Sequence, residues 1–433
     1  MKSTVGQNSI RTLIFSALNS ALGIITGIVL AKTIGPYGKG VFSGIQVLQN
    51  GITAVTAGGG AAILYMLTNQ KRSIGELARP LGFLLIGVTA LGWLFLWIWG
   101  LHYGSSTTLL VAAAVIPAAI VLSWRGFFYM GIDQLRSLNY QGFALTLGVL
   151  LAVVTTVVVF HRGVQGAIVA WAVCLYIAAF VVVGHAVYIS RGAPTDGFWD
   201  DVRSLVRFGS RTALDGLLGF FNYRIDSLVL IAFLGASGFG IYSVAVAGGE
   251  VLFMISRAVN TASAHDIGAF DLRSSAELTA KAIRMSTFVI AVAAAIAAVL
   301  GPLLIPIVYG PRFQPAGTPL RILLLGVVIY ASAGTFSAFF AFQRGRPLVM
   351  LYLNAAMIAL QVGLSLWLVP SIGMSGAALA STATYLFAAV FMTWYFCRTT
   401  GLRPARIWVV GKSDLASLSH AVRAMAAPAR GRP

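Results

Sequence analysis

Three ionisable side chains, Asp215, Arg224 and Asp226, fall inside a stretch, Thr212 to Leu234, that is otherwise apolar and long enough to cross a bilayer. About 20 residues at 1.5 Å rise span the hydrocarbon core, and a charge near its centre costs about 2.5–3.5 kcal/mol on insertion scales. Three in one segment argue for a wet interior enclosed by protein. Arg224 has the chemistry of an anchor for an anionic group such as a pyrophosphate, because a guanidinium fork matches phosphate oxygens and stays charged. A structural ion pair with a neighbouring span is the plainer reading of the same residue. At 100° per residue, Asp215, Gly219, Asn222 and Asp226 share one face as a polar stripe. Arg224 lies about 200° round the helix from Asp226, so in a regular helix the two do not pair.

The following apolar run repeats the pattern, with Ser243, Glu250 and Arg257 spaced by seven. Glu250 suits a protonatable coupling group or a Na⁺ ligand, since a low dielectric favours the neutral form of a carboxylate. A permanent salt bridge to Arg257 or Arg224 is the competing reading, and Arg257 also fits a place at the cytoplasmic mouth. Two hundred residues earlier, Ser43, Gln46, Asn50 and Thr53 form a similar stripe, with Asn50 in register with Glu250. The residues expected to line a substrate cavity are therefore Arg224, Asn222, Asn50, Gln46 and Arg257; the coupling-ion candidates are Asp226, Glu250 and Asp215. In the first run Asn19, Gly23 and Thr26 share a face, which reads as helix contact.

Enzymatic motifs find no footing. His102, His161, His185, His265 and His420 are scattered without metal spacing, and no nucleophile elbow or HExxH occurs. Gly411-Lys412-Ser413 superficially matches a phosphate loop, but Arg406 stands where that motif needs glycine and no strand precedes it. No cofactor or metal is expected.

The elements that must hold these side chains follow from composition. With 58% hydrophobic and 10% charged residues in 433, the chain reads as an all-α polytopic membrane protein. Twelve apolar runs are long enough to span: roughly 10–31, 41–68, 79–101, 108–130, 139–160, 166–189, 212–234, 239–265, 283–308, 317–342, 347–369 and 375–397. The first continues past the length of a signal-peptide core and reads as a retained span. Cys174 and Cys397 lie in apolar runs and read as buried structural thiols.

The formal charge of +18 is sorted by side rather than spread. The termini and even-to-odd loops hold 24 of the 30 Lys and Arg residues, whereas the opposite side holds only Lys32, Lys39, Arg162, Arg312 and Arg321. The positive-inside rule places both termini in the cytoplasm. Every outer loop is short, from about four residues at Gly235–Gly238 to about nine at Tyr309–Gly317, which leaves no room for an extracytoplasmic catalytic domain. Residues 198–209 place Phe198, Val202, Leu205 and Val206 on one face, as in an interfacial linker helix. The basic tail after Arg398 reads as solvated or lipid-touching, not as a nucleic-acid arm.

An internal repeat organises the whole. LAKTIGPYGKGVFS at Leu30–Ser43 returns as LIAFLGASGFGIYS at Leu230–Ser243, an offset of 200 that aligns Gly35, Gly38, Gly40 and Ser43 with Gly235, Gly238, Gly240 and Ser243. Gly163-Val-Gln-Gly166-Ala167 returns as Gly373-Met-Ser-Gly376-Ala377. About twelve transmembrane helices thus form two six-helix lobes. The expected parts are 1–190 and 212–397, joined by a linker at 191–211 and followed by a tail at 398–433. Six is even, so the repeat is parallel, about an axis along the membrane normal, with the substrate between the lobes. Gly58 to Gly60, Pro117, Pro302, Pro306 and Pro370 are the expected bends.

These segments, with PIVYGPRF at Pro306–Phe313 and VPSIGMSGAAL at Val369–Leu379, resemble the polysaccharide flippases of the multidrug/oligosaccharidyl-lipid/polysaccharide exporter superfamily, the Wzx-like group. Arg224 and Asp226 match the Arg-x-Asp of that group. The resemblance implies a two-lobe transporter with a cationic cavity, turning lipid-linked oligosaccharide from the inner to the outer leaflet of a bacterial plasma membrane. Undecaprenyl pyrophosphate is the usual carrier. Alternating access, H⁺ or Na⁺ coupling, contact with membrane lipids and partnership with polysaccharide polymerase machinery are implied with it. The nearest alternative is a cation-coupled multidrug exporter of the same superfamily. A facilitator-type carrier would show Gly-x-x-x-Asp-Arg where this chain reads TNQKRSIGELARP. A membrane glycan polymerase or ligase would need a large outer loop.

Overall fold

The computed structural model describes residues 2–103, 107–190, 197–269, 271–331, 333–344, 348–411 and 414. Among these the chain is helical and contains no strand. That is the outcome lipid imposes, because a spanning segment must satisfy its backbone hydrogen bonds internally. Large apolar side chains stay exposed along the spans, Ile86 and Ile307 at 71% and Trp367 at 69%, as a lipid-facing surface requires.

The helices in chain order are α1 (Lys2–Thr68), α2 (Ile74–Tyr103), α3 (Thr107–Gly131), α4 (Leu135–Val153), α5 (Gly163–Ile189), α6 (Phe198–Ala269), α7 (Leu272–Val308), α8 (Gly317–Tyr330), α9 (Ala333–Ala338), α10 (Leu348–Ile372), α11 (Met374–Thr400) and α12 (Ala405–Trp408). Short π segments extend α4 at Val154–Val159 and α9 at Phe339–Gln343.

Among the described residues ten stretches have the length and apolarity of a span, two of them 55 and 59 residues long. Straight, each of those two would run for roughly 80–90 Å, far beyond a bilayer. Each is interrupted by one glycine outside helical geometry, Gly35 in α1 and Gly235 in α6. Ten stretches, two of them doubled, give twelve crossings. The outer loops expected at 32–40 and 235–238 are thus single-residue bends between helical limbs. Pro36 follows Gly35 directly, at a first helical position where its missing N–H is harmless.

The chain divides into two compact units, residues 1–243 with 306–313, and 244–305 with 314–433. In the first, one core joins Leu30, Phe42, Val115, Phe128, Ala167 and Trp171, and a second joins Ile63, Met66, Leu77, Ile116, Ile120 and Leu205. The expected linker helix is not separate: α6 begins at Phe198 and runs on without a break to the bend at Gly235. Its start is pinned by Arg72, whose guanidinium donates to Asp201 at 2.9 Å and to Glu76 at 2.6 Å.

In the second unit the core is aromatic, with Phe336, Phe339, Phe340 and Phe396 packed round Met357 and Met392. After α11 the chain turns back onto this core: Ile407 is fully buried, and the Trp408 indole donates to the Thr393 hydroxyl at 3.1 Å. Arg284 fixes the turn by donating to both carboxylate oxygens of Asp414, at 2.9 and 3.3 Å, and to the Arg406 carbonyl. The same bonds, with one from the Gly411 amide, hold the Asp414 carboxyl below the usual carboxylate range.

Candidate functional site

The site lies where the outgoing limb of α1 (36–68) meets the incoming limb of α6 (198–234). Contacts run in opposite order along the two limbs, Gly209 on Gly58, Gly216 on Ala54 and Phe220 on Gly51, so they pack antiparallel. Small residues set the distance. A side chain on Gly216 would stand 2.4 Å from the Ala54 carbonyl oxygen, and one on Gly58 would stand 2.1 Å from that of Gly209. Gly58 to Gly60, expected to bend, are helical instead and serve close packing, Gly59 against Trp124 and Gly60 against Phe127 of α3. Trp124 locks α3 as a third wall by donating its indole N–H to the Thr56 carbonyl at 2.7 Å, and the Thr56 and Ser123 hydroxyls lie 3.1 Å apart.

Along this seam runs an open cleft of about 600 Å³. Its polar lining comprises Gln49, Asn50 and Thr53 of α1, Ser123 of α3, and Tyr223 and Arg224 of α6, with the Phe220 ring beside them. One guanidinium, two amides, three hydroxyls and two aromatic rings line it. That set can hold an anion, hydrogen-bond several hydroxyls and stack a flat apolar face.

Of the cavity residues expected from the sequence, Arg224 and Asn50 line this cleft. Asn222 does not: it is buried on another side of the same limb. Gln46 is partly buried one turn before Asn50 and is not part of the lining. Asp226 is buried, and its carboxylate is held within the bent helix itself. Tyr242 donates to one oxygen at 2.7 Å, while the Ser227 amide and hydroxyl donate to the other at 2.6 and 3.2 Å. Sixteen residues of straight helix cover about 24 Å, so the Asp226–Tyr242 bond exists only because α6 folds back at Gly235. The expected stripe is accordingly divided: Gly219 faces the cleft, whereas Asn222 and Asp226 face the protein. Glu250 is exposed on the later limb of α6, within the second unit. The side chains of Asp215 and Arg257 lie outside the described residues.

Gln49, Ser123, Phe220 and Tyr223 escaped the sequence reading. Gln49 stands one turn before Thr53, and Phe220 one turn before Arg224, so extending each polar position by four residues would have found both. Ser123 sits alone in an apolar run and carries no such signal.

The polysaccharide biosynthesis protein family matches the chain over residues 105–317. No curated protein matches it in sequence. Among solved structures, an inward-facing multidrug resistance MATE family transporter of the MOP superfamily is 13% identical over 90% of this chain and 98% of its own, with a TM-score of 0.70. The lipid II flippase MurJ, in an inward closed conformation, is 11% identical over 97% of this chain and 93% of its own, with a TM-score of 0.67. A Vibrio cholerae MATE transporter is 12% identical over 92% and 96%, with a TM-score of 0.59. At these identities the likeness shows the fold, an all-helical architecture. With the family match it upholds the resemblance drawn from the repeated glycine segments.

Proposed function

We infer that this chain, a multi-pass membrane transporter of the multidrug/oligosaccharidyl-lipid/polysaccharide exporter superfamily, flips a lipid-linked oligosaccharide between leaflets of a bacterial plasma membrane. The observation that carries the reading is the cleft itself: a mid-span arginine flanked by amides, hydroxyls and two aromatic rings. In this reading Arg224 takes the pyrophosphate that joins lipid to sugar. Gln49, Asn50, Thr53 and Ser123 exchange hydrogen bonds with sugar hydroxyls, and Phe220 and Tyr223 offer faces to the rings. The match to polysaccharide biosynthesis proteins favours this substrate. MATE-type neighbours fit a cation-coupled multidrug exporter equally well, so drug efflux is the competing outcome.

The polymer of sugars is assembled in this account from units delivered to the outer leaflet, where polymerase machinery takes them over. Both termini face the cytoplasm, following the asymmetry of Lys and Arg. Transport proceeds by alternating access, driven by H⁺ or Na⁺. Asp226 is occupied in tying the bend of α6, so ion coupling falls to Glu250 and Asp215.

The test is replacement of Arg224 by Ala and by Lys in cells whose surface polysaccharide depends on this chain. Arg224→Ala is expected to lower export about ten- to hundredfold, the worth of a charge-assisted hydrogen bond at roughly 1.5–3 kcal/mol, with partial retention in Arg224→Lys. Undiminished export in Arg224→Ala removes the residue from the mechanism. Protection of the same cells against cationic dyes, with no effect on polysaccharide, would decide for the drug exporter.

A further inference from the structure

The beginning of α6, ahead of the apolar run that opens at Thr212, has two faces. Asp201, Val202, Leu205 and Gly209 are buried, Leu205 in one core with Ile63 and Ile116. The other face is bare. Trp199, Arg203, Val206, Arg207, Arg211 and Leu214 are all exposed on it. The three arginines stand four residues apart and so form one ridge, about 12 Å from first to last at 1.5 Å per residue. Val206 and Leu214, 50% and 54% exposed, interleave apolar surface with the charge. At the start of the ridge Phe83 of α2 packs edge-on against Phe198 and Trp199, with ring centres 5.9 and 5.6 Å apart, yet Phe83 and Trp199 remain 47% and 65% exposed. Arg79, also exposed, lies one turn before Phe83.

These charges are not spent within the protein. Asp200 lies 3.9 Å from Arg203 with both side chains largely in solvent, a pair of little energetic weight. Arg79 and Arg207 form no ion pair among the described residues. Water alone gives no reason for a bare tryptophan and valine beside arginines, and a hydrocarbon core rejects three guanidinium groups. The boundary between the two accepts both: aromatic rings settle at headgroup depth, arginine stems lie along acyl chains, and the guanidinium fork takes phosphate oxygens. Four arginines against one exposed carboxylate favour an anionic headgroup over a zwitterionic one. The Cα–Cβ bonds of a helix tilt toward its N-terminus, so with the termini in the cytoplasm the ridge leans toward the inner leaflet.

We propose that Phe83, Trp199, Arg203, Arg207 and Arg211 form a docking shelf for the headgroups of anionic phospholipids of the inner leaflet. This assignment rests on the cytoplasmic placement of the termini and not on the identity of the transported substrate. The shelf is distinct from the Arg224 cleft. Gly209 and Gly216 carry the inner side of the same limb onto α1, so headgroups held on the ridge brace one wall of that cleft from outside.

The test titrates the full-length chain in detergent with phosphatidylglycerol or phosphatidylcholine, counting bound lipid by native mass spectrometry and following the unfolding midpoint. Phosphatidylglycerol is expected to bind more tightly and to raise the midpoint by a few degrees, as mass action demands for a ligand of the folded state. Each arginine near an anionic surface is worth about fivefold in affinity, so Arg207→Gln is expected to weaken phosphatidylglycerol about fivefold. Arg203→Gln, Arg207→Gln and Arg211→Gln together should weaken it on the order of a hundredfold and abolish the preference. Arg162→Gln, Arg273→Gln and Arg403→Gln together, three arginines exposed elsewhere, should leave the preference intact. Equal binding of the two lipids to the wild type, or an equal loss in this control, overturns the shelf. Displacement of phosphatidylglycerol by undecaprenyl phosphate overturns it too, and gives the ridge to the transported lipid instead. Should the triple variant of the ridge fail to fold, Arg207→Gln decides alone. None of these readouts measures transport, so their failure leaves the flippase reading standing.

Discussion

The bends at Gly35 and Gly235 have one backbone and two chemistries. Their dihedral angles agree within about a degree, φ 66°, ψ −171° against φ 65°, ψ −170°, in a region that essentially only glycine occupies. The pair meet reciprocally: a Cβ on Gly40 would stand 1.7 Å from the Ala236 carbonyl oxygen, and one on Gly240 would stand 2.0 Å from that of Pro36. Positions 36 and 236, like 40 and 240, are 200 residues apart, so each bend touches the other through equivalent atoms. The side chains behind them diverge. Asp226 bonded to Tyr242 in α6 corresponds to Thr26 and Phe42 in α1, where Thr26 satisfies itself on the Leu22 carbonyl at 2.8 Å and Phe42 packs edge-on against Trp171. Conversely, buried Lys39 in α1 corresponds to buried Phe239 in α6. Backbone geometry is what the repeat preserves; the polar ties are free to differ, and only the second copy places an arginine in the cleft.

The strongest break of this symmetry is Gly40→Ala or Gly240→Ala, each putting a methyl inside van der Waals contact with a carbonyl. Loss of folded protein is expected from either, judged by size exclusion and thermal unfolding in detergent, with Gly23→Ala, which meets nothing within 4 Å, as the tolerant control. Tyr242→Phe copies the first bend into the second but removes the phenol donor from Asp226, leaving it only Ser227. A loss of about 1.5–3 kcal/mol is expected, and Asp226→Thr added to it should restore part of that loss in a double-mutant cycle. A cycle with no coupling would mean the bond adds nothing to the bend. The smallest expected effect is a difference between equals: Gly35→Ala and Gly235→Ala should each cost about 1–3 kcal/mol. Because the dihedral angles match, the two costs should agree within about 0.5 kcal/mol. A clear inequality would show that the surroundings, not the backbone, set the strain.

Much of this was readable in the residues. The number of crossings, the repeat and the arginine at the cleft follow from apolar run lengths, a fixed offset and an isolated charge. Gly163 and Gly373, matched by sequence, both adopt positive φ, 58° and 63°. What could not be read depends on facts a linear pattern does not hold. Segments rich in glycine look like loops, yet one residue sufficed to turn the chain, because Pro36 and Ala236 restart helix at once. The role of Asp226 hinged on a partner sixteen residues away that only the fold-back brings near. The rotation of α6 about its own axis decided that Phe220, Tyr223 and Arg224 face the cleft while Asn222 and Asp226 do not, and an ideal 100° wheel assigns faces without saying which neighbour each one meets.

The return of the chain after α11 has a practical side. Ile407 plugs an aromatic core and Asp414 clamps Arg284, so a version shortened at Thr400 for better yield would uncork the second unit. A purification tag or reporter is better joined beyond Asp414, where the plug and its clamp stay in place.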